Sequence, residues 1–170
     1  MAAPSGDLPT GTLTLLFSDI EGSTALLSRL GDRYGEVLSA QRRILRTAIA
    51  GHDGREMGTE GDSFFVVFRS VSDAINAAYE AQRGLRAQPW PDGSKVGVRM
   101  GLHTGEPTRH EDGYVGMDVH RAARIAACAH GGQVLVSEPT YRIAGAQPMP
   151  FLDLGWHRLK DIPEASTCSS

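Results

Sequence analysis

Asp19 and Asp62 are the residues of this chain best placed to do chemistry. Each stands where an apolar run meets a glycine-containing turn. Asp19 lies in Phe17-Ser18-Asp19-Ile20-Glu21-Gly22-Ser23-Thr24, after the strand-like run 12–17, and Gly22-Ser23-Thr24 opens a helix. Unpaired N–H groups at a helix start favour anions, and a carboxylate beside them can hold a hard cation. That pairing suits a metal-chelated polyphosphate. The plainer reading, equally open from this segment alone, is that the serine and threonine only cap the helix. Asp62 ends Gly58-Thr59-Glu60-Gly61-Asp62, between the strand-like segments 52–57 and 63–68. Phe64 to Phe68 form a nearly continuous apolar run, as in a central strand covered on both sides. The glycines before it suit a tight hairpin that would set Asp62 beside the end of the first strand. Two such carboxylates could bind one or two Mg2+ or Mn2+ ions. Alone, Asp62 reads as an acidic turn residue.

A third segment, Val115-Gly116-Met117-Asp118-Val119-His120-Arg121-Ala122-Ala123-Arg124-Ile125, has helical character. His120 and Arg124 are four apart and share a face. The Arg124 fork could bind phosphate oxygens, and His120 could donate to a ribose or phosphate oxygen. Alternatively, Arg121 and Arg124 solvate an exposed helix.

These residues need a scaffold, and the apolar rhythm predicts one. A 3.6-residue period marks helices at 25–30, 34–49, 70–87 and 117–129, while strict alternation marks a strand at 96–103. Residues 104–113 read as a loop, 134–136 as a short strand, 137–138 as the start of a short helix, and 151–159 as a final strand. Hairpin-linked and helix-linked strands are mixed, which indicates an α+β or mixed α/β fold. No Gly-x-Gly-x-x-Gly follows a strand and no phosphate-loop lysine is present. With 170 residues, a net charge of -3 and a pI near 6.0, one domain with a sizeable core is expected and a nucleic-acid footprint is not. There is no membrane-length apolar stretch, and residues 1–9 lack the basic start and apolar core of a signal peptide. A cytoplasmic protein without nucleic-acid or membrane partners is the simplest expectation. Cys128 reads as a small core residue and Cys168 as part of a polar tail.

Taken together, these segments resemble the catalytic domain of class III nucleotidyl cyclases, the adenylyl and guanylyl cyclase family, in its compact soluble bacterial form. The strongest pieces are 17–24, Gly61-Asp62 and Val119-His120-Arg121-Ala122-Ala123-Arg124. Leu154 to Glu164 also resembles the family's C-terminal strand and turn. The order and spacing match from about Gly11 to Glu164, leaving 1–10 as a flexible lead-in and 165–170 as a flexible tail.

The resemblance implies a ferredoxin-like core, a mixed and mainly antiparallel sheet flanked by helices, and a homodimer with active sites at its interface. Asp19 and Asp62 match the family's metal-binding aspartates, two divalent ions per site, with Ile20 as a further ligand. Mg2+ or Mn2+ would support turnover, whereas Ca2+ would bind without supporting it. Ile20, Glu21, Gly22, Ser23 and Thr24 match the segment that wraps the β and γ phosphates. Arg124 matches the transition-state arginine, supplied by the other subunit, and Lys160 is a candidate for the phosphate-binding lysine. His120 stands where the family has a transition-state asparagine; a neutral imidazole also donates one hydrogen bond. Adenine-selective members carry a lysine where this chain has Gly58 and an aspartate or threonine where it has Gly113. Glu60 and Asp112 lie close enough to substitute, and Tyr114 could pack on the base. The implied activity is conversion of ATP to 3′,5′-cyclic AMP and pyrophosphate. A guanylate or dual-specificity cyclase using GTP, or a catalytically weak nucleotide-binding or dimerisation module, are the alternatives.

Overall fold

The computed structural model describes residues 7–145 and the backbone of 153–158 and 165–169. The first strand, β1 (Leu13–Ile20), is followed by α1 (Ser23–Leu30) and α2 (Tyr34–Ala50). The hairpin β2 (Arg55–Glu60) and β3 (Ser63–Phe68) leads into α3 (Val71–Ala87) and β4 (Val98–Gly105). A small hairpin, β5 (Thr108–His110) and β6 (Gly113–Val115), precedes α4 (Met117–Cys128), β7 (Val134–Ser137) and α5 (Glu138–Ala144). The backbone of β8 (Asp153–Arg158) and β9 (Ala165–Ser169) completes the described chain.

Among the described residues, seven strands form one sheet in the order β2-β3-β1-β4-β7-β9-β8. All neighbouring pairs are antiparallel except β4 with β7. The β-α-β-β-α-β path with order β2-β3-β1-β4 is the expected ferredoxin-like α+β core. No helix among the described residues is long and apolar enough to cross a membrane.

Strand register sorts the side chains onto two faces, because successive residues point opposite ways. Leu16 pairs with Leu102 and Ser18 with Met100 on one face. There α2 and α3 close a core that includes Val37, Leu45, Phe64, Val66, Phe68, Ala74 and Ala78. Ser70 starts α3 as its N-cap, accepting from the Asp73 amide at 3.3 Å. On the other face, Leu13, Leu15, Phe17 and Asp19 lie opposite Gly105, His103, Gly101 and Arg99. Helix α4 covers part of this face, where Ala122 and Tyr114 join Leu13, Leu15 and Val67. Phe17 and Phe65 stack there, centroids 4.5 Å apart, and remain only partly buried.

Several expectations need correction. Residues 104–113, taken as a loop, instead hold the last two residues of β4, the strand β5 and the first residue of β6, with β5 and β6 paired as a hairpin. The lead-in is fastened at its described end: the Pro9 carbonyl accepts from the Tyr114 hydroxyl at 2.7 Å, and Leu8 packs on the second core. The C-terminal tail contains β9, whose backbone pairs with both β7 and β8. Cys128 is exposed at the end of α4 and is not a core residue.

Candidate active site

The end of β1 gathers the acidic groups. Gly61 takes φ 57° in the two-residue turn between β2 and β3, a left-handed conformation that suits glycine. Helix α2 grips that turn: Gln41 Nε2 donates to the Asp62 carbonyl and Arg42 Nη2 to the Gly61 carbonyl, both at 2.8 Å. Asp62 is thereby turned across β1, where its Oδ2 accepts from the Ile20 amide at 2.6 Å. Asp19 is the residue before Ile20, so both aspartates stand at the end of β1, Asp62 against the Ile20 amide and Asp19 against Arg99. Tyr34 stands at the same end. Burial raises its pKa, and the nearby Asp62 charge adds to the rise.

Arg99 is the site residue that the sequence reading missed. It faces Asp19 across the β1–β4 ladder, on the same side of the sheet. Its Nε and Nη2 donate to the two Asp19 oxygens at 2.6 and 2.7 Å, and its Nη1 donates to the Ala127 carbonyl at 3.3 Å. A partly buried carboxylate thus meets a guanidinium fork, backed by the negative end of α4. Hydrogen bonding to Asp19 raises the Arg99 pKa.

The turn after β1 is anchored rather than open throughout. The Glu21 amide donates to the Gly97 carbonyl at 2.8 Å, and the Glu21 carboxylate accepts from the Gly131 amide at 2.9 Å. The Gly131 hydrogen bond holds the Glu21 carboxyl below the usual carboxylate range. Ile20 and Glu21 therefore spend their amides on the protein, leaving those of Gly22, Ser23 and Thr24 at the start of α1 for an anion. Gly22, at φ 65°, is the N-cap and contributes no side-chain cap, so Ser23 and Thr24 are not capping residues.

The remaining sequence candidates are spread more widely. Gly58 and Glu60 are exposed on the edge strand β2, next to a bulge, and Gly61 is in the turn. Gly113 begins β6. Tyr114 is only 7 % exposed and is locked between the second core and Pro9, which leaves no ring face for a base. His120 is exposed in the first turns of α4, with Arg124 one turn further along. Lys160 lies outside the described residues.

Helix α4 runs antiparallel to β4's own direction. Its first turn meets Gly105 and its C-terminal carbonyl at Ala127 meets Arg99. Six residues of strand separate those points, about 20 Å. His120 and Asp19 therefore stand near opposite ends of α4 within one chain.

Among the described residues, no three His, Cys, Asp or Glu side chains converge as a ready-made metal cage. The donor set nonetheless fits Mg2+ or Mn2+. Such ions are commonly held by one or two carboxylates, with substrate phosphates completing the shell. Arg99 already supplies one positive charge to Asp19 and in the field of Asp62. Removing it with Arg99→Gln should tighten Mn2+ binding to the nucleotide-free protein about tenfold, or ~1.4 kcal/mol. Calorimetry reads this directly, and unchanged affinity would mean that Arg99 does not compete with the ion.

Comparison with known proteins accounts for this arrangement. Residues 8–161 match the Adenylate and Guanylate cyclase catalytic domain. An uncharacterized protein of Mycobacterium tuberculosis is 36% identical over 160 residues, covering 91% of this chain and 54% of that protein. The adenylate cyclase of Mycosarcoma maydis is 35% identical over 156 residues, 76% of this chain and 6% of that one. The chain thus spans about half, or far less, of the length of these curated relatives. Among solved structures, a Trypanosoma brucei adenylate cyclase in its monomeric state superimposes with a TM-score of 0.88 at 26% identity, covering 97% of this chain and 91% of that one. The chain belongs to the adenylate and guanylate cyclase catalytic domain family and carries the class III nucleotidyl cyclase fold.

Proposed function

We propose that the chain converts ATP to 3′,5′-cyclic AMP and pyrophosphate at sites shared between two copies. The observation that carries this reading is the placement of Asp19 and Asp62 at the end of β1, just before the start of α1. In this reading the two carboxylates, with the Ile20 carbonyl, hold divalent ions, and the amides of Gly22 to Thr24 receive the β and γ phosphates. Bound ions would neutralise phosphate charge and acidify the ribose hydroxyl. The 3′ oxygen bonds to the α phosphorus as the bond to the α–β bridging oxygen breaks. Pyrophosphate leaves and the hydroxyl proton passes to water. Arg124 offsets the charge growing on the bridging oxygen, and His120 orients the ribose.

A second copy is needed because His120 and Asp19 stand near opposite ends of α4. The partly covered face bearing Phe17, Phe65 and Met57, together with exposed Val115 and Met117, supports a partner of the same kind. Mixing inactive Asp19→Ala and Arg124→Ala proteins should therefore restore activity. Random exchange in a two-fold dimer leaves about a quarter of the sites intact. No recovery despite demonstrated exchange would refute the shared site.

Purine choice rests on less. With glycine at 58 and 113, discrimination falls to backbone groups, shape and Glu60, which can accept from guanine N–H groups. Selectivity between ATP and GTP should be modest, about tenfold in kcat/KM, with both used. A thousandfold preference would point to a selector elsewhere. GTP as the better substrate would make the protein a guanylate cyclase. A catalytically silent nucleotide-binding or dimerisation module is favoured by one observation, the full engagement of Asp19 by Arg99. It predicts triphosphate binding without cyclic product.

A further inference from the structure

His103 is charge-capable, 1% exposed and unused by the chemistry above. It lies on the face of β4 that receives α4, between Gly101 and Gly105. A Cβ at Gly101 would lie 2.7 Å from the Ala126 Cα, and one at Gly105 would overlap the Asp118 carboxylate. The two glycines thus let the helix sink onto the strand, and His103 is the side chain left to meet it.

Both ring nitrogens are engaged, Nε2 with Asp118 Oδ1 and Nδ1 with Ser137 Oγ, each at 2.7 Å. Burial pushes the imidazole pKa below its ordinary 6.5 against the pull of Asp118, and Arg121 adds to the fall, which favours the neutral ring. A neutral ring has one donor and one acceptor, and a carboxylate only accepts. Nε2–H therefore donates to Asp118, and Nδ1 accepts from the Ser137 hydroxyl. Behind the ring runs a buried line of hydroxyl contacts: Ser137 with Thr140 at 3.2 Å, Thr140 with Thr104 at 2.9 Å, and Thr104 with Thr14 at 3.0 Å; with the neutral ring each hydroxyl donates toward the imidazole. The chain ties β1, β4, β7 and α5 to one imidazole.

Asp118 receives the force of this arrangement. It sits in the first turn of α4, where a negative charge suits the helix dipole. Its second oxygen accepts from the Glu106 amide at 3.1 Å. The N-cap, Gly116, gives the helix no side-chain cap. The first turn of α4 is thus held by Asp118, two residues before His120 and six before Arg124.

We propose that His103 is a positioning residue of the cyclase reaction: through Asp118 it fixes the first turn of α4, and so aims His120 and Arg124 into the partner copy's site. The inference rests on the shared-site cyclase reading. A misplacement of about 1 Å in such groups can cost about a hundredfold in rate. His103→Phe and Asp118→Ala should lower kcat by about that factor, while affinity for Mn2+ with a non-cyclisable triphosphate stays within about twofold. Asp118→Asn should retain most of kcat, because the ring can take its other tautomer and accept from the amide.

Mixing separates positioning from general stability. His103→Phe and Asp118→Ala should each regain activity with Asp19→Ala, which supplies an intact α4, and neither should regain it with Arg124→Ala. Failure of the Asp19→Ala and Arg124→Ala pair to recover would overturn the cyclase reading on which this depends. If that pair recovers, either of two results overturns the role of His103. One is kcat within about threefold of wild type in both variants; the other is the same mixing outcome with both partners.

Discussion

Replacing Asp19 by alanine should abolish cyclic nucleotide formation, by about a thousandfold or more, while the protein stays folded and dimeric. Losing several kcal/mol of transition-state stabilisation by bound ions corresponds to that factor. Asp62→Ala should cost as much activity but act differently on the fold. It leaves the Ile20 amide without its 2.6 Å partner, so a stability loss of about 1–3 kcal/mol is expected as well. Asn substitutions separate the two effects. An amide at 62 can still accept from Ile20, whereas one at 19 keeps one of the two bonds from Arg99 and sets its NH2 against the other donor; neither carries charge. Asp62→Asn should keep a near-wild-type melting temperature, Asp19→Asn should lower it somewhat, and both should lose most turnover. Chromatographic product assays with Mn2+, run beside thermal melts, test this. Near-normal turnover in Asp19→Ala would remove the ion-binding assignment.

Gly101→Ala should be the most damaging single methyl in the chain's second face. The added Cβ meets the backbone of α4 at Ala126, and backbone cannot rotate away as a side chain can. Overpacking of this kind costs about 3 kcal/mol, which in a domain of this size lowers the melting temperature by roughly 6–12 °C. Gly58→Ala is the matched control. Nothing lies within 4 Å of its Cβ, so its effect should stay within about 0.5 kcal/mol. Denaturant unfolding of the two variants gives the comparison. Equal stabilities would mean that α4 is not seated on the strand as described.

The legible parts were those that local pattern dictates. The run into Asp19 and the glycine hairpin before Asp62 each carry their own signal, and the hairpin sets Asp62 against the end of β1. Arg99 was not legible, because its partner is chosen by cross-strand register, and register is not written in the strand that bears it. The one available hint was the residue set Arg99, Gly101, His103 and Gly105, an alternating face with no apolar member. It forecast a helix packed close and a polar tie, rather than an ordinary core. Tyr114 misled for a related reason. Its ring was assigned by closeness in sequence to Gly113, whereas tertiary packing against Leu13, Leu15 and Pro9 claims it. Cys128 was taken as core because its neighbours are alanines. Yet Ile125 and Ala126 face inward and Cys128 falls off that stripe. The short β5–β6 and β9 segments, rich in polar residues, become strands only through their partners.

The central claim is that this chain cyclises a purine nucleoside triphosphate. It is tested most directly by incubating the purified protein with Mn2+ and ATP or GTP and resolving every product by chromatography. The account predicts a 3′,5′-cyclic monophosphate and pyrophosphate in equal amounts, formed faster than linearly as protein concentration rises through the dimerisation range. Nucleoside diphosphate with orthophosphate, or no product at concentrations where the dimer and bound triphosphate are both demonstrated, would contradict it.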